Sequence, residues 1–373
     1  MVTSEKILAA HQGLLKTYGF NADLFEKLQQ KLKTGQFNPS ANLVTGPLTI
    51  PAPTAFTSAP EEGSQHATAL HNKGQDAIDA GRVALVVLNG GMATRFGGKV
   101  KGAVDVIKDL SFLGLRLQVT QKLAPKVPIF LLNSFATHEK TKQHLEENAY
   151  FNCDAQKIIH LNQYISVRLK PDGEIFQTDD GQPSFYAPGH GDLFSVLGQS
   201  NDFQEFAKHE DHILMVVNVD NIFADLCPQM IGRHLEQAKA LSVEIAPQHP
   251  GDRGGAPLEY QNKLQIIESF RLPEDFPHHK VKFFNTNTLI FNAHVFRKEY
   301  PLTWFRADKR IGSHDIVQFE RLMGEITAFE DAAFLEVSRS EPNCRFWPIK
   351  TQNDLKGLEK PLRLRYPWLK PSP

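Results

Sequence analysis

Three short, unbroken apolar runs constrain what this chain can fold into. VALVVL (83–88), VPIFLL (127–132) and ILMVV (213–217) each pass straight into polar or glycine residues: NGG, NSF and NVDN. A strand with one wet face alternates apolar and polar residues. These runs do not alternate, so both faces must be covered, as in a parallel sheet packed between helices. Helical patterns near 111–124 and 138–148 fall between the runs. The alternation predicts an α/β domain built on a mostly parallel sheet flanked by helices. RLKPDGEIFQ (168–177) reads as a hairpin turning at Pro171-Asp172-Gly173.

The chain has 373 residues, 41% of them hydrophobic, enough for one large domain with smaller attachments. Ile7, Leu8, Leu14, Leu15, Leu24, Phe25, Leu28 and Leu32 recur at three- and four-residue spacings. That suits an amphipathic helical arm packing on something larger. Residues 34–65 are rich in Pro, Ser, Thr, Ala and Gly and read as an extended wrap. The expected division is 1–75 for arm and wrap, 76–340 for the catalytic domain, and 341–373 for a short C-terminal segment. Forty-one Lys and Arg against 42 Asp and Glu leave a net charge of −1. Such balance argues against nucleic acid or an acidic membrane as partner. Cys153, Cys227 and Cys344 are scattered and form no CxxC pair, which speaks against a structural zinc or a disulfide framework. The polar N-terminus offers no signal-peptide core, and the apolar runs are too short to cross a bilayer. A cytoplasmic protein is expected.

Chemistry is concentrated after the strands. LNGGMATRFGGKVKG (88–102) is a glycine-rich loop with lysines where a polyphosphate would lie. It is neither of two familiar phosphate loops. Gly98-Lys99 is followed by Val100, with Ala93 where a Walker A loop needs its first glycine, and GxGxxG is not met. A flexible surface loop is the alternative. FYAPGHGDLF (185–194) brackets His190 with two glycines before a helix start; a capped helix with a structural histidine would look the same. ILMVVNVDN (213–221) delivers Asn218, Asp220 and Asn221 at a strand's carboxyl end, where open sheets bind ligands and a carboxylate can hold Mg²⁺. An Asx turn is the plainer reading. Weaker signals are GGAPLEYQNKLQIIE (254–268), FFNTNTLIF (283–291) and RFWPIKTQNDL (345–355).

Taken in order, LNGG, LLNSFATHEKT (131–141), HLNQYISVRL (160–169), PGHGD, the Asn-x-Asp-Asn strand end, FNTN and the final P-x-K-T resemble the eukaryotic-type UDP-glucose pyrophosphorylase family across residues 83–355. The resemblance implies a nucleotidyltransferase-type, Rossmann-like mixed sheet and a Mg²⁺-dependent uridylyltransferase acting on UTP and a sugar 1-phosphate. The backbone of Leu88, Asn89, Gly90 and Gly91 would hold the uridine end, with Gln163 and Gly189 at the uracil. Thr94, Arg95 and Lys99 would meet the triphosphate, Arg95 counting as catalytic with Lys101 and Lys350, the two phosphate-binding lysines. His190 and Asn218 would lie near the sugar phosphate. Gly255, Glu268, Asn285 and Asn287 would line the sugar pocket, and Asp220 would bind the metal.

Three departures stand out. Ala93 replaces a usual Gly, KVKG is one residue short, leaving Lys99 and Lys101 to compete for one role, and with so short a stretch after Lys350 the family's C-terminal β-helix is expected to be absent. Without that domain a monomer is the expectation. Glucose 1-phosphate is the expected acceptor. A UDP-N-acetylhexosamine or broad-specificity UDP-sugar enzyme is the near alternative, and a non-catalytic nucleotide-sugar-binding protein the remoter one. A dinucleotide-dependent oxidoreductase is disfavoured by the failed GxGxxG.

Overall fold

The computed structural model describes residues 4–93, 97–252 and 254–369. At its centre lies a seven-stranded mixed sheet. Its strands are β1 (Val83–Leu88), β2 (Ile129–Asn133), β3 (Ile158–Asn162), β4 (Ile213–Asn218), β5 (Leu241–Pro247), β6 (Phe283–Asn292) and β7 (Ala332–Glu336). The spatial order is β7-β5-β6-β4-β1-β2-β3. β4, β1, β2 and β3 run parallel, as do β5 and β7, while β6 is antiparallel to both neighbours.

The apolar runs are buried on both faces. In β1, Val83, Leu85 and Val87 enter one core and Ala84 and Val86 the other; Ile213, Met215 and Val217 divide from Leu214 and Val216 in the same way. Helices Gln65–Asp79, Phe112–Leu123, His138–Glu147 and Pro228–Gln237 cover the first face, and Leu193–Gln199 and Asn201–Phe206 lie on the second. Ser64 and Ser111 cap two of these helices by accepting the N–H of Ala67 and of Gly114. Helices Gln65–Asp79 and Pro228–Gln237 cross so closely that a Cβ on Gly74 would fall 1.8 Å from the Pro228 carbonyl oxygen.

The N-terminal helices use their apolar stripe as expected. Leu15, Tyr18, Phe25, Leu28 and Leu32 bury against Val167, Leu169, Val317 and Phe319. The wrap docks by backbone pairing. Thr57 exchanges hydrogen bonds with β7, receiving from Glu336 and donating to Phe334, both at 2.9 Å. Leu48–Thr49 adds a strand to the hairpin Ala256–Tyr260/Lys263–Ile267.

Candidate active site

A cleft of about 610 Å³ opens beyond the carboxyl ends of the parallel strands, where Leu88, Leu132 and Asn218 reach its wall. This is where an open α/β sheet binds ligands. Gly90 and Gly91 continue from β1 into the wall. Gln163 packs directly over Gly90, so that a Cβ there would meet its Oε1 at 2.0 Å. Only glycine keeps both the backbone and the Gln163 amide exposed to the cleft at this point. The Ser134 hydroxyl donates to the Gly90 carbonyl at 2.8 Å and fixes the turn.

The glycine-rich loop returns as a short hairpin, Met92–Ala93 against Lys99–Val100, and delivers Lys101 to the cleft. Gly102 locks that delivery, because a Cβ there would strike Asn89 Oδ1 at 2.3 Å and Leu113 at 2.7 Å. Opposite, Asp220 stands two residues beyond β4, and the Lys101 ammonium donates to its Oδ2.

PGHGD forms the facing wall. Gly189 has φ +104°, and a side chain there would press on the Arg321 carbonyl oxygen. The loop is clamped to Arg321 by Gly191 N–H donating to Arg321 O at 2.9 Å and Arg321 N–H donating to Pro188 O at 2.7 Å. Buried Asp192 receives the Arg321 guanidinium. The Gly191 and Asp192 amides are engaged internally, and the loop contributes a side chain to the cleft. That side chain is His190. Its Nδ1 accepts the Met323 N–H at 2.9 Å, which leaves the proton on Nε2. Desolvation pushes its pKa down to about 4, against the pull of Glu320. At neutral pH His190 is an uncharged hydrogen-bond donor on the cleft wall.

The segment after β7 brings in Lys350. Ile349 N–H donates to the Asp220 carbonyl at 3.0 Å, and Trp347 N–H donates to Asn221 Oδ1 at 3.0 Å. Lys350 is thus placed beside Asp220 by backbone pairing, with its own side chain exposed.

The expected sugar residues gather beside the cleft. Asn285 N–H donates to Gly255 O at 2.8 Å, and Glu268 Oε1 would lie 2.9 Å from a Cβ on Gly255. Asn287 adopts φ +59° within β6, and its Nδ2 donates to Asn218 Oδ1 at 3.1 Å. Asn218 lines the cleft and so joins the cluster to it. Desolvation pushes the Glu268 carboxyl up to about 7, opposed by Arg271.

Asn89, Lys99 and Lys350 do not line the cleft. Asn89 faces away from the cleft: its N–H bonds Leu132 O, and its Nδ2 donates to Asn133 and Thr141. A buried amide finds partners behind the sheet more readily than at an open wall. Lys99 is exposed on the hairpin and does not line the cleft; the strand ends at Val100 and the chain turns at Lys101–Ala103, which gives Lys101 a different direction. Thr94 and Arg95 lie outside the described residues. Sequence reasoning missed Ser134, Phe135, Arg168 and Gln318 on the wall. Ser134 and Arg168 sit inside the NSFATHE and ISVRL texts, which were the available signal. Gln318 carried none; it is held by accepting from Arg168 Nε at 3.1 Å.

Fold and cleft together define an α/β protein of the nucleotidyltransferase type. A solved UDP-glucose phosphorylase from Trypanosoma brucei superposes with a TM-score of 0.71 at 22% identity, covering 96% of this chain and 78% of that one. The UDP-N-acetylglucosamine pyrophosphorylase from the same organism gives 0.71 at 18% identity, covering 89% and 74%. At such identity the likeness concerns the fold alone. The chain belongs to the UTP–glucose-1-phosphate uridylyltransferase family, whose model matches residues 53–361. The UTP–glucose-1-phosphate uridylyltransferase of Solanum tuberosum is 26% identical over 291 residues, 74% of this chain and 60% of that protein. The chain thus spans about three fifths of the length of the curated relatives it matches.

Proposed function

We propose that the chain transfers a uridylyl group from UTP to glucose 1-phosphate, releasing pyrophosphate and forming UDP-glucose. The observation that carries this reading is the meeting of Lys101, Asp220 and His190 on one cleft at the sheet's carboxyl edge. An oxygen of the sugar phosphate attacks the α-phosphorus, and the bond to the β-phosphate oxygen breaks in line with it. No covalent enzyme intermediate is required; positioning and charge stabilisation suffice for this class of transfer. Gln163 presents an amide suited to a pyrimidine edge. Lys101 and Lys350 offset charge growing on the α-phosphate and leaving group. His190 donates a hydrogen bond from its Nε2–H to the acceptor phosphate and stays neutral.

Asp220 is a hard oxygen donor on the wall, and among the described residues no group of three or more His, Cys, Asp or Glu could hold a metal. That suits Mg²⁺, which takes one or two carboxylates and completes its shell with substrate phosphates and water. When bound it would neutralise phosphate charge. Base and acceptor choice test the reading. Initial rates with UTP, TTP, ATP and GTP should favour UTP, and glucose 1-phosphate should exceed galactose 1-phosphate and N-acetylglucosamine 1-phosphate in kcat/KM. Comparable rates with ATP would refute the base assignment. A preference for N-acetylglucosamine 1-phosphate would move the chain to the hexosamine class.

A further inference from the structure

Under the proposed function Asp220 faces a metal and Lys101 faces phosphate, yet in the structure each holds the other. The Lys101 ammonium sits on Asp220 Oδ2, and the two side chains are only 22% and 14% exposed. Among the described residues Lys101 is the side-chain partner of the Asp220 carboxylate, and no further carboxylate, imidazole or thiol completes a metal cluster there. A lone carboxylate already neutralised by an ammonium offers little to a free divalent cation seeking six oxygens.

We propose that Lys101 is the resting counter-ion of Asp220, and that it leaves the carboxylate for the nucleotide phosphates when magnesium and nucleotide arrive together. This rests on the uridylyltransferase reading. The exchange conserves charge pairing at every stage. A partly buried carboxylate is never left bare, which would cost far more than the pair itself contributes. Geometry favours a side-chain swing rather than a loop motion. The Lys101 backbone is pinned by Gly102 against Asn89 and Leu113, while its four-carbon stem is flexible. Two consequences follow. Nucleotide without metal meets a lysine that is already engaged, and metal without nucleotide meets a carboxylate that is already neutralised. The two ligands must therefore bind with positive coupling.

UTP affinity measured by calorimetry tests this, using wild type, Lys101→Met, Asp220→Asn and the double variant, each with EDTA and with Mg²⁺. In EDTA, Lys101→Met should change wild-type affinity by less than about threefold but weaken Asp220→Asn by about tenfold or more, because that variant frees the lysine. With Mg²⁺ present, Lys101→Met should weaken the wild-type background by about tenfold as well. Equal losses in both backgrounds under EDTA would mean the residues act independently and would overturn the proposal. Asp220→Asn may only be compared if circular dichroism shows it folded, so wild type supplies a second test: Mn²⁺ binding followed by electron paramagnetic resonance. Mn²⁺ should bind wild type weakly alone and tightly with UTP. Tight nucleotide-free binding would overturn the exchange. Failure of wild type to bind UTP with Mg²⁺ would remove the parent reading and this one with it, whereas firm Mg²⁺-UTP binding with additive losses removes this one alone.

Discussion

Lys101 lines the cleft, whereas Lys350 stands beside Asp220 with its side chain exposed, so replacing them should have different effects. Lys101 follows a hairpin anchored to β1 and lines the wall. Lys350 hangs from a segment paired to Asp220, with its N–H on Asp354 Oδ2 at 2.8 Å and its side chain exposed. In Mg²⁺, Lys101→Ala should weaken UTP binding and turnover together. Lys350→Ala should mainly lower kcat, by roughly 10²–10³, the value of one donor to developing charge. If kcat stays within about threefold of wild type, well short of that range, Lys350 is not a phosphate lysine. Glu268 gives a pH signature. Its folded pKa is raised from 4.5 to about 7 by desolvation. The folded chain therefore holds this proton more tightly than the unfolded chain. The stability it contributes is fully present below 4.5 and is lost as pH rises through about 7. Glu268→Gln should flatten that part of the curve, so Tm scans of the two proteins diverge from pH 4.5 to 7, with the variant gaining. A pH-independent difference would contradict the assignment.

At the scale of elements, burial decides what could be read. β1, β2 and β4 were legible because their runs are apolar on both faces. β5 was not, because LSVEIAP places Glu244 mid-strand, where it imitates a solvated face. Glu244 is in fact 1% exposed, and its carboxylate receives Arg345 at 2.7 Å. Arg345 also holds Asp225 at 3.1 Å, and Arg365 and Tyr366 bond the same carboxylate. No local pattern announces a partner 101 residues away. The left-handed Asn287 inside β6, which aims its amide at Asn218, was equally invisible: its motif was noted, but its backbone was not. This buried network ties the C-terminal segment to β5 and so sets where Lys350 lies. Arg345→Leu should cost about 3–5 kcal/mol, because it strands Glu244 as an unpaired buried charge. Urea unfolding checks this. A loss under about 1 kcal/mol, the range of an exposed pair, would show that the network contributes little.

Over the whole molecule, the cleft draws its wall from residues between Leu88 and Gln318. The parallel half of the sheet supplies strand ends, the glycine-rich hairpin supplies Lys101, and PGHGD, clamped to Arg321, supplies His190. The N-terminal arm packs on the elements around Val167 and Val317, and the wrap joins the edge of β7. Motifs far apart in sequence were legible as texts, but their convergence on one cavity required the fold. The central claim is that this convergence performs uridylyl transfer with Asp220 at its charge centre. The most direct measurement is pyrophosphate release from UTP and glucose 1-phosphate in Mg²⁺ by wild type and by Asp220→Ala, with circular dichroism confirming that both are folded. Wild type should release pyrophosphate in step with UDP-glucose, and folded Asp220→Ala should release none above background. No release by wild type, or turnover by Asp220→Ala with unchanged Mg²⁺ dependence, would contradict the account.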